Sequence, residues 1–99
     1  MTGFASCVRF KVKPGSQDTF LSKIKEFELP SGALTHTAFS TGENTFCTMV
    51  TWQSESDLAN ARPNMISFLD TVRDLLEEIS PELGVTDPVS GPVVFEEKV

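Results

Sequence analysis

His36 is the only histidine in the chain, and an unperturbed imidazole is the one side chain whose ordinary proton exchange falls near neutral pH. On a strand beside Leu34 and Ala38 it can accept a proton from an acidic substrate group, and Arg9 is read with it as a catalytic candidate that steadies an anionic or enolate oxygen. Three more residues suit ligand binding. Trp52 offers a flat wall on which an aromatic ligand stacks, Arg62 a second cation, and Asn64 a group that donates or accepts a hydrogen bond at the start of a helix. Each also has a plainer use: His36 and Trp52 as core residues, Arg9 as a strand-face charge, Arg62 and Asn64 as residues that shape a helix start. Cys7 and Cys47 have neither CxxC spacing nor a histidine pair to complete a zinc site, and are read as reduced, mostly buried thiols. A nucleophilic cysteine would want a base beside it, and the sequence does not bring His36 to either one.

These residues sit in a chain of 99 residues, enough for one domain over residues 1–99 with a thin core. Fourteen acidic against eight basic residues give a net charge of −6, which opposes phosphate backbones and anionic membrane surfaces. No nucleic acid and no membrane partner is expected. Hydrophobic residues make up 39% and are spread along the chain, so a globular domain is predicted instead of disorder. The first residues lack a basic stretch and a long apolar run, and a cytoplasmic location is the expectation. No metal is expected, because helical spacing spreads Asp70, Asp74, Glu77, Glu78 and Glu82 along a solvated face.

The elements that must position the candidates follow from periodicity. Over residues 6–13, Val8, Phe10 and Val12 alternate with Arg9, Lys11 and Lys13, the period of a strand. Pro14, Gly15 and Ser16 break it, and Phe20, Leu21, Ile24 and Phe27 then recur at helical spacing over residues 17–27. Residues 34–40 and 45–53 read as a hairpin around residues 41–44. In its second strand Phe46, Thr48, Val50 and Trp52 share one face and Cys47, Met49 and Thr51 the other, so both faces should be covered. Ser54 and Ser56 with Glu55 and Asp57 mark a helix start. Pro63 predicts a break, with a separate long helix from there to about residue 80. Residues 84–92 read as a loop and residues 93–95 as a final edge strand.

The order β-α-β-β-α-β predicts an α+β, ferredoxin-like antiparallel sheet with two helices on one face. The other face needs a cover. A second copy meeting it sheet to sheet is the simplest one, which predicts a homodimer with Cys7, Arg9, Lys11, Cys47, Met49 and Thr51 between the sheets.

Three stretches carry a family resemblance: residues 12–15 (Val-Lys-Pro-Gly), residues 50–58 (Val-Thr-Trp-Gln-Ser-Glu-Ser-Asp-Leu), and the long helix from Arg62-Pro63 to Leu83-Gly84. Over residues 8–94 the chain resembles the antibiotic biosynthesis monooxygenase family, whose members are dimeric α+β barrels. The resemblance implies a small apolar pocket between sheet and helices and, in catalytic relatives, oxygenation of an electron-rich aromatic without metal or flavin. Heme-degrading members of that fold carry a histidine on the helix after the tryptophan, where this chain has Arg62, so heme ligation from that position is excluded. An asparagine common on strand one of oxygenating relatives has no counterpart over residues 7–12, and there is no tyrosine. Two functions are therefore carried forward. One is a cofactor-independent monooxygenase acting on a small aromatic or polyketide-like compound; the other is a non-catalytic dimeric module that binds a small hydrophobic ligand or serves as an accessory subunit.

Overall fold

A computed structural model describes residues 3–97. The elements are β1 (Phe4–Lys11), α1 (Gln17–Glu26), β2 (Ala33–Ser40), β3 (Thr45–Trp52), α2 (Glu55–Val72) and β4 (Thr86–Pro92), with a 3-10 turn at Arg73–Leu75. The strands form one sheet in the order β2-β3-β1-β4, each pair antiparallel. That is the ferredoxin-like α+β arrangement. Among the described residues no helix is long and apolar enough to cross a membrane.

Alternation along β1 and β3 gives the sheet two unlike faces. Their register pairs Phe10 with Phe46, Val8 with Thr48, Ser6 with Val50 and Phe4 with Trp52, and all eight point toward the helices. The apolar packing on that face falls into two clusters. In one, Phe20 and Ile24 of α1 and Val72 of α2 close over Phe10, Val12 and Phe46. In the other, Leu58 and Ala61 of α2 close over Val50 and Trp52. The first is aromatic at its centre: the Phe20 ring lies 5.2 Å from Phe10 and 5.6 Å from Phe46.

Two reversals frame the site. At Gly32 φ is +97°, and a Cβ would stand 2.3 Å from the Asp57 side chain, so only glycine fits between β2 and the start of α2. Ser54 caps that helix as its spacing predicts, its hydroxyl oxygen accepting the Asp57 N–H at 3.3 Å.

In three places the structure corrects the sequence reading. First, α2 runs unbroken through Pro63. The proline leaves the Ala59 carbonyl without its helical donor, but Ala59 is exposed and water can serve it, while Leu58, Ala61, Met65 and Val72 hold the helix to the sheet on either side. Second, helix ends at Val72 and does not continue to residue 80. Leu76 instead bridges Val12, with Lys13 N–H donating to the Leu75 carbonyl at 2.8 Å and Glu77 N–H to the Lys11 carbonyl at 2.7 Å. Glu77, Glu78 and Glu82 thus lie beyond the helix, and Glu77 is 3.7 Å from Lys11. Third, β4 spans residues assigned to the loop, and residues 93–95 follow it. Val93 N–H donates to the Gly3 carbonyl, so the amides of Gly91, Val89 and Asp87 face β1 by the same parity. Pro88 and Pro92 occupy the alternate positions, whose amides would point off the sheet edge, and no ladder bond is lost.

Phe20 is fully buried between two other rings. Phe20→Ala is expected to lower unfolding free energy by about 3–5 kcal/mol, as truncation of a buried aromatic does. Urea denaturation measures it.

Candidate functional site

Between the two apolar clusters the helices stand off the sheet and leave a cavity of about 520 Å³ that opens to solvent. Its floor is the middle of the sheet: Ser6 and Val8 of β1, Thr48 and Val50 of β3, and His36 of β2. Met65, Ile66, Phe68 and Leu69 of α2, with Phe27 just past the end of α1, supply an apolar roof in which the Phe27 and Phe68 rings meet at 4.6 Å. Thr86, Pro88 and Ser90 of β4 form one side, and Arg62 of α2 reaches the rim.

The ladder explains which polar groups meet here. His36 and Ser6 both pair with Val50, one from each side, so a single row across the sheet carries an imidazole, an isopropyl group and a hydroxyl. Two strand spacings separate the polar ends, about 10 Å between backbones. Thr48 adds a second hydroxyl one row on, opposite Val8. Ser6 and Thr48 are the only buried polar residues among those described.

Trp52 lies on this same face but is fully buried and does not line the cavity. Its indole N–H donates to the Ser6 hydroxyl oxygen at 3.0 Å. A serine hydroxyl has one proton and two lone pairs, so the indole fills an acceptor site and leaves the proton to be donated elsewhere. Because Ser6 also lines the cavity, Trp52 reaches a ligand there only through it.

His36 is half-buried, and desolvation holds its pKa below the ordinary imidazole value. It therefore stays neutral at neutral pH, the form that accepts a proton. Arg62 is exposed and makes no ion pair among the described residues.

Arg9 is on the other side of the sheet. Its parity is that of Cys7 and Lys11, and its guanidinium pairs with Asp87 of β4, Nε donating at 2.9 Å. It cannot meet a ligand that His36 touches. Asn64 is exposed and outside the cavity lining, midway along α2 and not in a first turn, because the helix starts at Glu55. Of the five candidates, the cavity thus brings together His36 and Arg62. Ser6 and Thr48 were not singled out by sequence, although both interrupt otherwise apolar columns, Ser6 with Val8 and Phe10, Thr48 with Phe46 and Val50. Among the described residues no three imidazole, thiol or carboxylate groups converge in a way that could hold a metal ion.

No family model and no curated protein matches the chain. Solved structures do. A protein assigned as an antibiotic biosynthesis monooxygenase from Nitrosomonas europaea superposes with a TM-score of 0.75 at 15% identity, over 94% of this chain and 91% of its own. SnoaB, a cofactor-independent oxygenase from Streptomyces nogalater, superposes with a TM-score of 0.72 at 14% identity, over 97% of both chains. A further Nitrosomonas europaea protein, of unknown function, gives 0.72 at 22% identity over all of this chain and 96% of its own. The fold is that of the antibiotic biosynthesis monooxygenases.

The burial of His36 has a consequence for stability. Above the ordinary imidazole pKa both folded and unfolded chains hold it neutral and it contributes no pH dependence. As pH falls below that value the unfolded chain binds a proton that the folded chain resists, so stability drops until the folded imidazole titrates too. Between about pH 7 and pH 5, wild type is expected to lose stability that His36→Gln does not lose. Urea midpoints across that range would show the difference; parallel curves would contradict it.

Proposed function

We propose that this chain, with the fold of the antibiotic biosynthesis monooxygenases, is a cofactor-independent oxygenase of a flat, largely apolar compound bearing an acidic C–H or O–H, of the anthrone or quinol kind. The observation that carries the reading is a neutral imidazole on the floor of an apolar cavity. An apolar cavity of this size suits a small fused-ring aromatic and dissolved oxygen alike.

In this reading His36 removes a proton from an activated methylene, and the Ser6 hydroxyl and the Arg62 guanidinium steady the resulting enolate oxygen. The carbanion passes its electrons to O2 and a C–O bond forms; the imidazolium returns its proton to the peroxide. Cleavage of the O–O bond with loss of the second hydrogen leaves a carbonyl and one water, so the substrate itself supplies the electrons. Asn64 and Arg9 have no part in this arrangement. Trp52 acts as a positioning residue through Ser6.

Support for a second copy on the open sheet face is of another kind. Phe39, Met49 and Val89 lie there with 47%, 39% and 63% exposure, an apolar surface that pairing would remove from water. Light scattering at micromolar concentration is expected to give a dimer; a monomer would overturn this part of the reading.

The test of activity is oxygen uptake by metal-stripped protein with a panel of anthrones, quinols and catechols. Uptake is expected with at least one, and His36→Ala should lower kcat by about 10²–10⁴-fold, the usual contribution of a positioned general base. Folded wild type that binds these compounds without consuming oxygen would make the chain a small-ligand-binding module.

A further inference from the structure

The face of the sheet opposite the cavity carries the only two thiols of the chain, and β1 and β3 bring them together. Cys7 pairs with Met49 and Cys47 with Arg9, so the cysteines are diagonal neighbours on adjacent central strands. Their sulfur atoms lie 2.9 Å apart, less than about 1 Å beyond the length of a disulfide bond. We propose that Cys7 and Cys47 form a redox modification site, at which a peroxide converts the two thiols into one intramolecular disulfide tying β1 to β3.

Exposure assigns the order of events. In the single chain Cys7 is partly exposed and Cys47 is buried, so the oxidant meets Cys7 first. Burial, then the hydrogen bond and charge of Cys7, push the Cys47 thiol up to about 11 against the opposing charge of Arg9, which makes it the poorer first nucleophile. The Cys7 sulfur attacks one oxygen of hydrogen peroxide; the S–O bond forms, the O–O bond breaks, and the departing hydroxide takes the thiol proton as water. The Cys47 sulfur then attacks the Cys7 sulfenic acid. The S–S bond forms, the S–O bond breaks, and hydroxide leaves with the Cys47 proton as a second water. Two electrons from the sulfurs reduce one peroxide. Because Cys47 is already in contact, this second step is intramolecular and outruns capture of the sulfenic acid by outside thiols. The oxidant has only two heavy atoms, so a second copy over this face need not leave for the reaction to run.

The bond would lie directly beneath the proposed ligand site. Cys7 stands between Ser6 and Val8, and Cys47 precedes Thr48, all three of them on the cavity floor. The site itself does not depend on what the cavity binds.

The test uses the full chain, reduced and then freed of reductant. One equivalent of hydrogen peroxide is expected to remove both free thiols and to lower the intact mass by that of two hydrogen atoms. A peptide map should join Cys7 to Cys47, and dithiothreitol should restore the starting mass. Cys47→Ser treated in the same way should gain one oxygen at Cys7 and react with dimedone, a trap for sulfenic acid. Wild type that keeps both thiols, accumulates sulfinic acid without a cross-link, or links Cys7 between two chains would overturn the proposal.

Discussion

The antiparallel register of β1 with β3 is the interaction on which the rest of the molecule depends. Side chains alternate along a strand with a period of two, so slipping this ladder by one residue would turn every side chain of one strand to the wrong face. In the observed register Phe10, Phe46, Val50 and Trp52 meet the helices, while Cys7, Arg9, Cys47 and Met49 meet the open side. The same ladder sets Ser6 and His36 on either side of Val50 and brings the two sulfurs to 2.9 Å. Cavity floor and thiol pair are the two faces of one pairing.

A small sheet covered by two helices would ordinarily fill the space between them. Here the apolar packing is divided into two clusters, and the columns that cross the division carry hydroxyls at Ser6 and Thr48. A buried hydroxyl without a partner costs about 1–3 kcal/mol, and a hydrogen bond offsets that. Trp52 provides one for Ser6 while burying its whole side chain, so the residue that anchors the second cluster also sets the polarity of the cavity floor. By contrast the Arg9–Asp87 pair, with Arg9 59% exposed, is screened by water and contributes on the order of 1 kcal/mol or less. The ladder, and not this ion pair, keeps β4 in place.

Likeness of fold to SnoaB and to the assigned monooxygenases brings an architecture and no residue of a mechanism, since one fold hosts many chemistries. The functional reading rests on the site itself: a neutral imidazole, two hydroxyls and a cation at the rim of an apolar cavity.

Local periodicity by itself determined much of this protein. The alternation of Val8, Phe10 and Val12, the helical spacing of Phe20 and Ile24, and the hairpin around residues 41–44 are short-range patterns, and each of these elements stands within a few residues of its expected place. Element order then led to the ferredoxin-like sheet. Tertiary structure decided the remainder, because it concerns competition between distant segments. Pro63 stays helical because packing on both sides of it outweighs one missing hydrogen bond, and Leu76 leaves the helix because Val12 offers it a strand partner. Residues 86–92, rich in proline and glycine, are a strand because an edge position has no use for half of its amides. The separation of Arg9 from His36, and the retreat of Trp52 behind Ser6, followed from which face each strand turned to the helices and how deeply the helices closed over it. Strand parity is legible one element at a time, but the relation between strands exists only once they have paired.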